Sequence, residues 1–272
     1  MVNEKRLKLV QSRLHPVTDA PQLLHMLVWG RVKSGKTAFG CSGPKPVLFL
    51  AESGQLTVRR VPDLMIYPLD AKGKHRRVQW KDAFDFLYLL RYGDLDRETV
   101  VVDTMTTLTR IAMRYILKDE EARDDAREPD TPTQPTWNRL TTIMQEFMEE
   151  LEVICKTQNM HLIYTAQERI LNDERAEEAG ANAIPDFSPA IRSFITQKPD
   201  ILARTFLEDS EPENIEEEPT VRYGMLFRDD EYMVGERITP IGATQPFLPR
   251  RAFNATIPKL LKRIRLAEGK GK

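Results

Sequence analysis

Gly30-Arg31-Val32-Lys33-Ser34-Gly35-Lys36-Thr37 satisfies the pattern G-x-x-x-x-G-K-[ST] in full, the spacing of a phosphate-binding loop. Each residue type has a physical task. The two glycines let the backbone wrap close to an anion, and successive N–H groups point inward to hold it. Lys36 would reach the β- and γ-phosphates of a nucleoside triphosphate such as ATP. Thr37 would offer its hydroxyl to Mg²⁺, a cation that takes oxygen ligands. Leu23-Leu24-His25-Met26-Leu27-Val28-Trp29 reads as a buried strand entering the loop, and Ala38-Phe39 begin a helix leaving it, so Gly30 to Ala38 are all expected to line the nucleotide.

A second carboxylate-bearing strand fits the same chemistry. Thr99-Val-Val-Val-Asp103 is a short β-branched run that delivers Asp103 to the carboxyl edge of a parallel sheet, where open α/β folds place ligands. Asp103 is expected to serve Mg²⁺ together with Thr37, although an Asp after an apolar strand also suits a helix cap. The next residue is Thr104, so a water-activating carboxylate must come from elsewhere. Glu52, which ends the apolar strand Pro46-Val-Leu-Phe-Leu-Ala51 and precedes Ser53-Gly54, is the candidate; the plain alternative is a surface residue at a strand-to-turn boundary.

This order of parts resembles the RecA-like recombination and helicase ATPases. In those proteins the catalytic Glu follows the strand after the phosphate-loop helix, as Glu52 does here. Val100-Val-Val-Asp103-Thr is similar to their magnesium strand. His161-Leu-Ile-Tyr-Thr-Ala-Gln167 is similar to the strand whose terminal Gln senses the γ-phosphate and leads into a DNA-binding loop. The spacing over roughly residues 22–240 looks closest to phage-encoded RecA-like ATPases that assist single-strand annealing. The resemblance implies an α/β RecA-like P-loop NTPase core with a mostly parallel sheet between helices. It further implies ATP hydrolysis assisted by Mg²⁺, single-stranded DNA as partner, a homo-oligomer, and partner proteins of recombination or replication. Arg237, in Gly235-Glu236-Arg237, stands where such oligomers place a basic residue, usually in a Lys-x-Arg setting, that reaches a neighbour's γ-phosphate; here the Arg is kept and the Lys is lacking, and a surface ion pair is the alternative. A helicase-like or helicase-loading motor, a small-molecule kinase and a nucleotide-gated binding module are the competing functions.

The rest of the chain must position these residues. At 272 residues it can bury a sizeable core. Forty basic residues against 41 acidic give a net charge of −1, so contact with nucleic acid must be local. Cys41 and Cys155 are too few for a disulfide framework. The N-terminus lacks an apolar signal segment, and no apolar run approaches the ~20 residues that cross a bilayer. The expectation is a soluble cytoplasmic protein without a membrane partner, in the host cytoplasm if phage-encoded.

Three segments are expected: a basic lead-in over 1–21, an ATPase core over 22–245, and a basic C-terminal extension over 246–272. Strands and helices alternate through the core. Leu64–Leu69 reads as an edge strand because of Pro68, Asp82–Leu90 as a helix, and the stripe Leu140, Met144, Phe147, Met148, Leu151, Ile154 as a long amphipathic helix. Lys118–Pro135 reads as an exposed loop, and its part Lys118–Asp130 holds three basic and seven acidic residues, which argues against phosphate contact there. Glu168–Pro189 reads as a long irregular loop, either DNA-facing or a lid or subunit contact. Val221–Arg228 and Tyr232–Arg237 are expected to form a hairpin about Asp229-Asp230-Glu231, after an acidic linker over Glu208–Glu218. A helix over Ile257–Leu266 with a basic tail closes the chain.

Overall fold

The computed structural model describes residues 22–52, 55–74, 76–123, 130–172, 174–176, 181–210, 220–239, 243 and 245–269. The lead-in over 1–21, Ser53-Gly54, His75, most of the acidic linker and Lys270-Gly271-Lys272 lie outside the described residues.

In chain order the elements are β1 (His25–Gly30), α1 (Lys36–Gly40), β2 (Pro46–Leu50), α2 (Gln55–Val58), β3 (Met65–Tyr67), α3 (Trp80–Tyr92), β4 (Thr99–Asp103), α4 (Met105–Glu121), α5 (Gln134–Thr157), β5 (His161–Ile170), β6 (Ala183–Pro185), α6 (Pro189–Gln197), β7 (Ile201–Ser210), β8 (Thr220–Leu226), β9 (Gly235–Glu236), β10 (Arg251–Phe253) and α7 (Ile257–Ala267). The main sheet runs β10-β8-β7-β1-β5-β4-β2-β3. From β7 to β3 every pairing is parallel, while β8 and β10 add antiparallel strands at one edge. This is the expected α/β core with a mostly parallel sheet.

The central strands are apolar throughout because helices cover both faces. Successive side chains alternate between two cores. Leu27 and Trp29 of β1, Val100 and Val102 of β4, and Leu162 and Tyr164 of β5 face α3 to α6. Met26, Val28, Val101 and Ile163 face the opposite side, where Phe39 of α1, Val58 of α2 and the α7 residues Ile257, Leu260, Leu261 and Ile264 close over them. The long amphipathic helix is α5, and its predicted stripe is buried from Leu140 to Ile154.

Four expectations change. The hairpin about Asp229 does not form: β8 pairs with β7 over Arg204–Ser210, and β9 joins the start of β7 at Ile201 and Leu202. Both β8 and β9 therefore line the same edge of β7 in succession. The hairpin present is β7–β8, and part of the stretch read as an acidic linker, through Ser210, is strand. Secondly, β5 does not end at Gln167 but continues to Ile170 and turns back through β6, with Glu168↔Pro185 and Ile170↔Ala183 in register. Gln167, Glu168 and Arg169 are consecutive polar residues, so no apolar pattern announces the strand there. Thirdly, residues past 245 are no appendage: β10 pairs with β8, α7 buries its apolar stripe in the core, and the Ile257 N–H donates to Ser42 Oγ at 2.9 Å. The many cations of α7 conceal an i, i+3, i+4, i+7 pattern. Finally, the edge strand is shorter than Leu64–Leu69, confined to β3 beside β2.

Candidate functional site

Parallel packing brings the carboxyl ends of β1, β2, β4 and β5 to one edge, and the chemistry-bearing residues gather there. β1 delivers Gly30, whose φ of 154° and surroundings exclude a side chain: a Cβ would lie 2.5 Å from the Thr205 carbonyl oxygen and hydroxyl. Gly35 sits at φ 90° and Lys33 at φ 66°, so the loop alternates hand as it curls. Ser34 fastens the curl, donating to the Arg31 carbonyl at 2.7 Å and sharing a 2.6 Å hydrogen bond with Thr205 Oγ1. Because α1 is only five residues long, any anion in the loop would be held mainly by loop N–H groups and Lys36 rather than by a long helix dipole.

Lys36 is buried, and its ammonium donates to the carbonyls of Gly30 at 2.9 Å and Arg31 at 2.6 Å. Burial lowers its pKa from the ordinary value, opposed by Asp103, Glu52 and Glu168. Thr37 Oγ1 donates to Asp103 Oδ2 at 2.8 Å, and Thr165 Oγ1 donates to Oδ1 at 2.5 Å. Burial pushes the Asp103 carboxyl above its usual range, the Thr165 and Thr37 hydrogen bonds pull it back, Glu52 adds to the rise and Lys36 opposes it. A buried carboxylate beside a hydroxyl whose proton already points at that carboxylate leaves oxygen lone pairs toward the loop. That donor set suits a hard divalent cation, and Thr37 and Asp103 would hold it.

Glu52 lies at the end of β2, and three donors converge on its Oε1: Thr104 Oγ1 at 2.7 Å, Thr107 Oγ1 at 2.5 Å and Gln167 Nε2 at 2.8 Å. Among the described residues no hydrogen bond engages Oε2. Thr104 is the N-cap of α4, accepting the Thr107 N–H at 3.2 Å, and so links the cap to the carboxylate. Asp103 itself does not cap that helix. The Gln167 N–H in turn donates to Thr106 Oγ1 at 3.0 Å. The adjoining Glu168 takes Arg204 at 2.7 Å and the loop residue Arg31 at 3.4 Å, joining the phosphate loop to the first residue pair of the β5–β6 hairpin.

A cleft of about 870 Å³ contains this set, lined by Val32 to Phe39, Glu52, Asp103, Thr104 and Gln167, and closed at its far end by Tyr223, Asn254 and Lys259. Every sequence-predicted residue from Gly30 to Ala38, with Glu52, Asp103 and Gln167, is at this edge. Arg237 is not. It lies beside the amino ends of β1 and β7, where its guanidinium donates to the carbonyls of Lys198 at 2.7 Å and Pro199 at 2.8 Å and stands 3.6 Å from Asp200. Sequence reasoning passed over Thr104, Thr107, Thr165, Thr205, Tyr223 and Asn254. The run of hydroxyl residues after Asp103 was the one local signal; the others are set by strand neighbours distant in sequence.

Cys41 and Cys155 are buried, and burial pushes the Cys41 thiol up to about 12 and that of Cys155 higher still, so neither is a nucleophile at neutral pH. Among the described residues no helix is long and apolar enough to cross a membrane.

The family described as AAA domain (AAA_24) matches residues 23–237. No curated protein matches the chain. Among solved structures, "The Structure Of A DnaB-Like Replicative Helicase And Its Interactions With Primase" is similar at a TM-score of 0.41 and 11% identity, over 86% of this chain and 62% of that one. The chain thus spans less than two thirds of that protein's length.

Proposed function

This chain belongs to the AAA domain family, and from that premise we propose that it binds ATP with Mg²⁺ and hydrolyses it, acting on single-stranded DNA in phage-type recombination or replication. One observation carries the hydrolytic reading: the Glu52 carboxylate, oriented by Thr104, Thr107 and Gln167, opens onto the same cleft as Lys36 and the Thr37–Asp103 pair. Mg²⁺ bound by Thr37 and Asp103 would neutralise charge on the phosphates. Lys36 would exchange the carbonyls of Gly30 and Arg31 for phosphate oxygens, whose negative charge would oppose the lowering of its pKa by burial. Glu52 would orient a water for in-line attack and take its proton as the bond to the γ-phosphorus forms and the β–γ bridging bond breaks, giving ADP and phosphate. Gln167, bonded to Glu52 and continuous with the β5–β6 hairpin, would report the γ-phosphate to that hairpin.

Support for nucleic acid comes from the neighbouring surface. A second cleft of about 870 Å³ lies between α4, α5 and the β5–β6 hairpin, lined by Arg110, Arg114, Trp137, Asn138 and Arg169. Trp137 is 40% exposed, and an aromatic face among arginines can stack a base and pair its phosphate. Asp186 holds Arg110 at 2.9 Å and Arg169 at 2.5 Å, so DNA would compete with an internal ion pair and bind with marked salt dependence.

The decisive experiment measures ATP turnover with and without single-stranded DNA for the wild type and Glu52→Gln. The variant is expected to keep ATP affinity and to lose at least ~100-fold in rate, the scale of a lost general base. Wild-type turnover in a folded Glu52→Gln protein would move the base elsewhere, and indifference to DNA would leave the nucleic-acid reading without function.

A further inference from the structure

The phosphate loop holds only the triphosphate end of a nucleotide, so its base must meet residues outside Gly30–Thr37. The sheet order gives a direction. Glu52, just past the end of β2, lies with Asp103 of β4 and Gln167 of β5 to one side of β1, so the γ-phosphate end of the cleft is on that side. On the other side come β7, β8 and β10, and two strand spacings, ~10 Å, separate β1 from β8. The β7–β8 hairpin runs past the last β1 residue: Gly30 pairs with Thr205, whereas Tyr223 stands opposite Leu207. Tyr223 therefore overhangs the phosphate loop. Its ring lies against Gly35, where a Cβ would meet Cδ1 at 2.9 Å, and half its surface is exposed to the cleft and solvent.

Asn254 stands next to it and is fixed from both sides. Its N–H donates to the Tyr223 carbonyl at 2.9 Å, and its own carbonyl accepts from Lys259 Nζ at 2.8 Å. The backbone is left-handed at φ 49°, a conformation Asn tolerates better than most residues. Both main-chain groups are thus used to hold the residue, while among the described residues nothing engages its side-chain amide. An aromatic face and an uncommitted amide, on the side of the loop opposite the catalytic carboxylates, make a surface suited to a flat heterocycle carrying both donors and acceptors.

We propose that Tyr223 and Asn254 form the nucleobase subsite, the Tyr223 ring stacking on the base and the Asn254 amide reading adenine in preference to guanine. The preference follows from hydrogen-bond inventory. An Asn amide presents one donor and one acceptor, which match adenine N7 and its N6 amino group, whereas guanine offers two acceptors on that edge. The inference rests on the phosphate-loop reading and deepens it.

A ligand without a base separates the two. ATP, GTP and inorganic tripolyphosphate are titrated calorimetrically into the wild type, Tyr223→Ala, Tyr223→Phe and Asn254→Gly, the last chosen because glycine accepts the left-handed backbone. Tyr223→Ala is expected to bind ATP about tenfold more weakly, the scale of a lost base–aromatic stack, and tripolyphosphate with wild-type affinity. Tyr223→Phe should behave as wild type, and Asn254→Gly should lose the preference for ATP over GTP. The proposal is overturned if Tyr223→Ala keeps its ATP affinity, or loses tripolyphosphate in proportion. Photolabelling of the wild type with 8-azido-ATP gives a readout independent of variant folding: label on the peptides containing Tyr223 or Asn254 supports the subsite, and label confined elsewhere excludes it. A wild type that binds neither ATP nor tripolyphosphate would instead overturn the phosphate site itself.

Discussion

Thr165→Val tests the metal site through a residue that no motif announces. Thr165 is fully buried and its hydroxyl donates to Asp103 Oδ1 at 2.5 Å, while Thr37 serves Oδ2 at 2.8 Å. Valine keeps the branched shape and removes the donor. A hydrogen bond to a charged group contributes ~1.5–3 kcal/mol, which corresponds to roughly 10–150-fold in an equilibrium constant. Replacement of groups that orient a metal ligand costs about 10–100-fold in metal affinity. We therefore expect the half-saturating Mg²⁺ concentration for turnover to rise ~10–100-fold, with tripolyphosphate binding in the absence of Mg²⁺ unchanged. The pH behaviour has a definite sign. Burial raises the Asp103 carboxyl and the two hydroxyls hold it down, so losing one lifts it further, and the acid limb of the rate profile moves to higher pH. The apo variant should also be less stable than wild type where Asp103 is ionised, the difference closing as pH falls through the carboxyl's folded value. Mg²⁺ titrations at two pH values and urea unfolding of the apo protein read these effects, and Thr165→Ser should restore them. An unchanged Mg²⁺ requirement together with an unshifted profile in folded Thr165→Val would refute the assignment of Asp103.

Two further outcomes follow from the opposite edge of the sheet. His25 is buried against Tyr164, Nε2 has no hydrogen-bond partner among the described residues, and burial lowers its pKa from 6.5 to about 4, with Glu152 opposing and Lys156, Arg237 and Lys198 assisting. The unfolded chain takes up a proton that the fold refuses, so stability should fall as pH drops from 6.5 toward 4, by at most ~3 kcal/mol; urea unfolding of His25→Phe should lack this share of the loss, and parallel wild-type and variant curves would exclude it. Arg237→Ala frees two carbonyls of its own chain, so we expect modest destabilisation with turnover largely kept, and no gain on mixing with inactive Lys36→Ala; recovery on mixing would show that Arg237 serves a neighbouring copy instead.

The sequence by itself determined the phosphate loop and the two carboxylate strands, because each is a local pattern: glycines where the backbone must curl, and an apolar run ending in Asp103 or Glu52. It also determined the α/β class, since short continuous apolar runs and period-3.6 apolar stripes alternate along the chain. Gln167 was legible only through its place after the last central strand, by resemblance. What tertiary structure decided is the company these residues keep. Thr165 reaches Asp103 because β5 lies between β1 and β4 in the sheet, and no feature of the segment around Thr165 encodes that neighbour. Glu52, Thr104 and Gln167 meet for the same reason, across |i−j| separations of 52 and 115. The C-terminal segment shows the limit most clearly. Its cations suggested a solvated extension, but charge on one face of a helix is compatible with burial of the other. Only strand pairing with β8 and packing of Ile257, Leu260, Leu261 and Ile264 bring Asn254 beside Tyr223. Local sequence sets which chemistry a segment can offer; non-local pairing sets which atoms it is offered to.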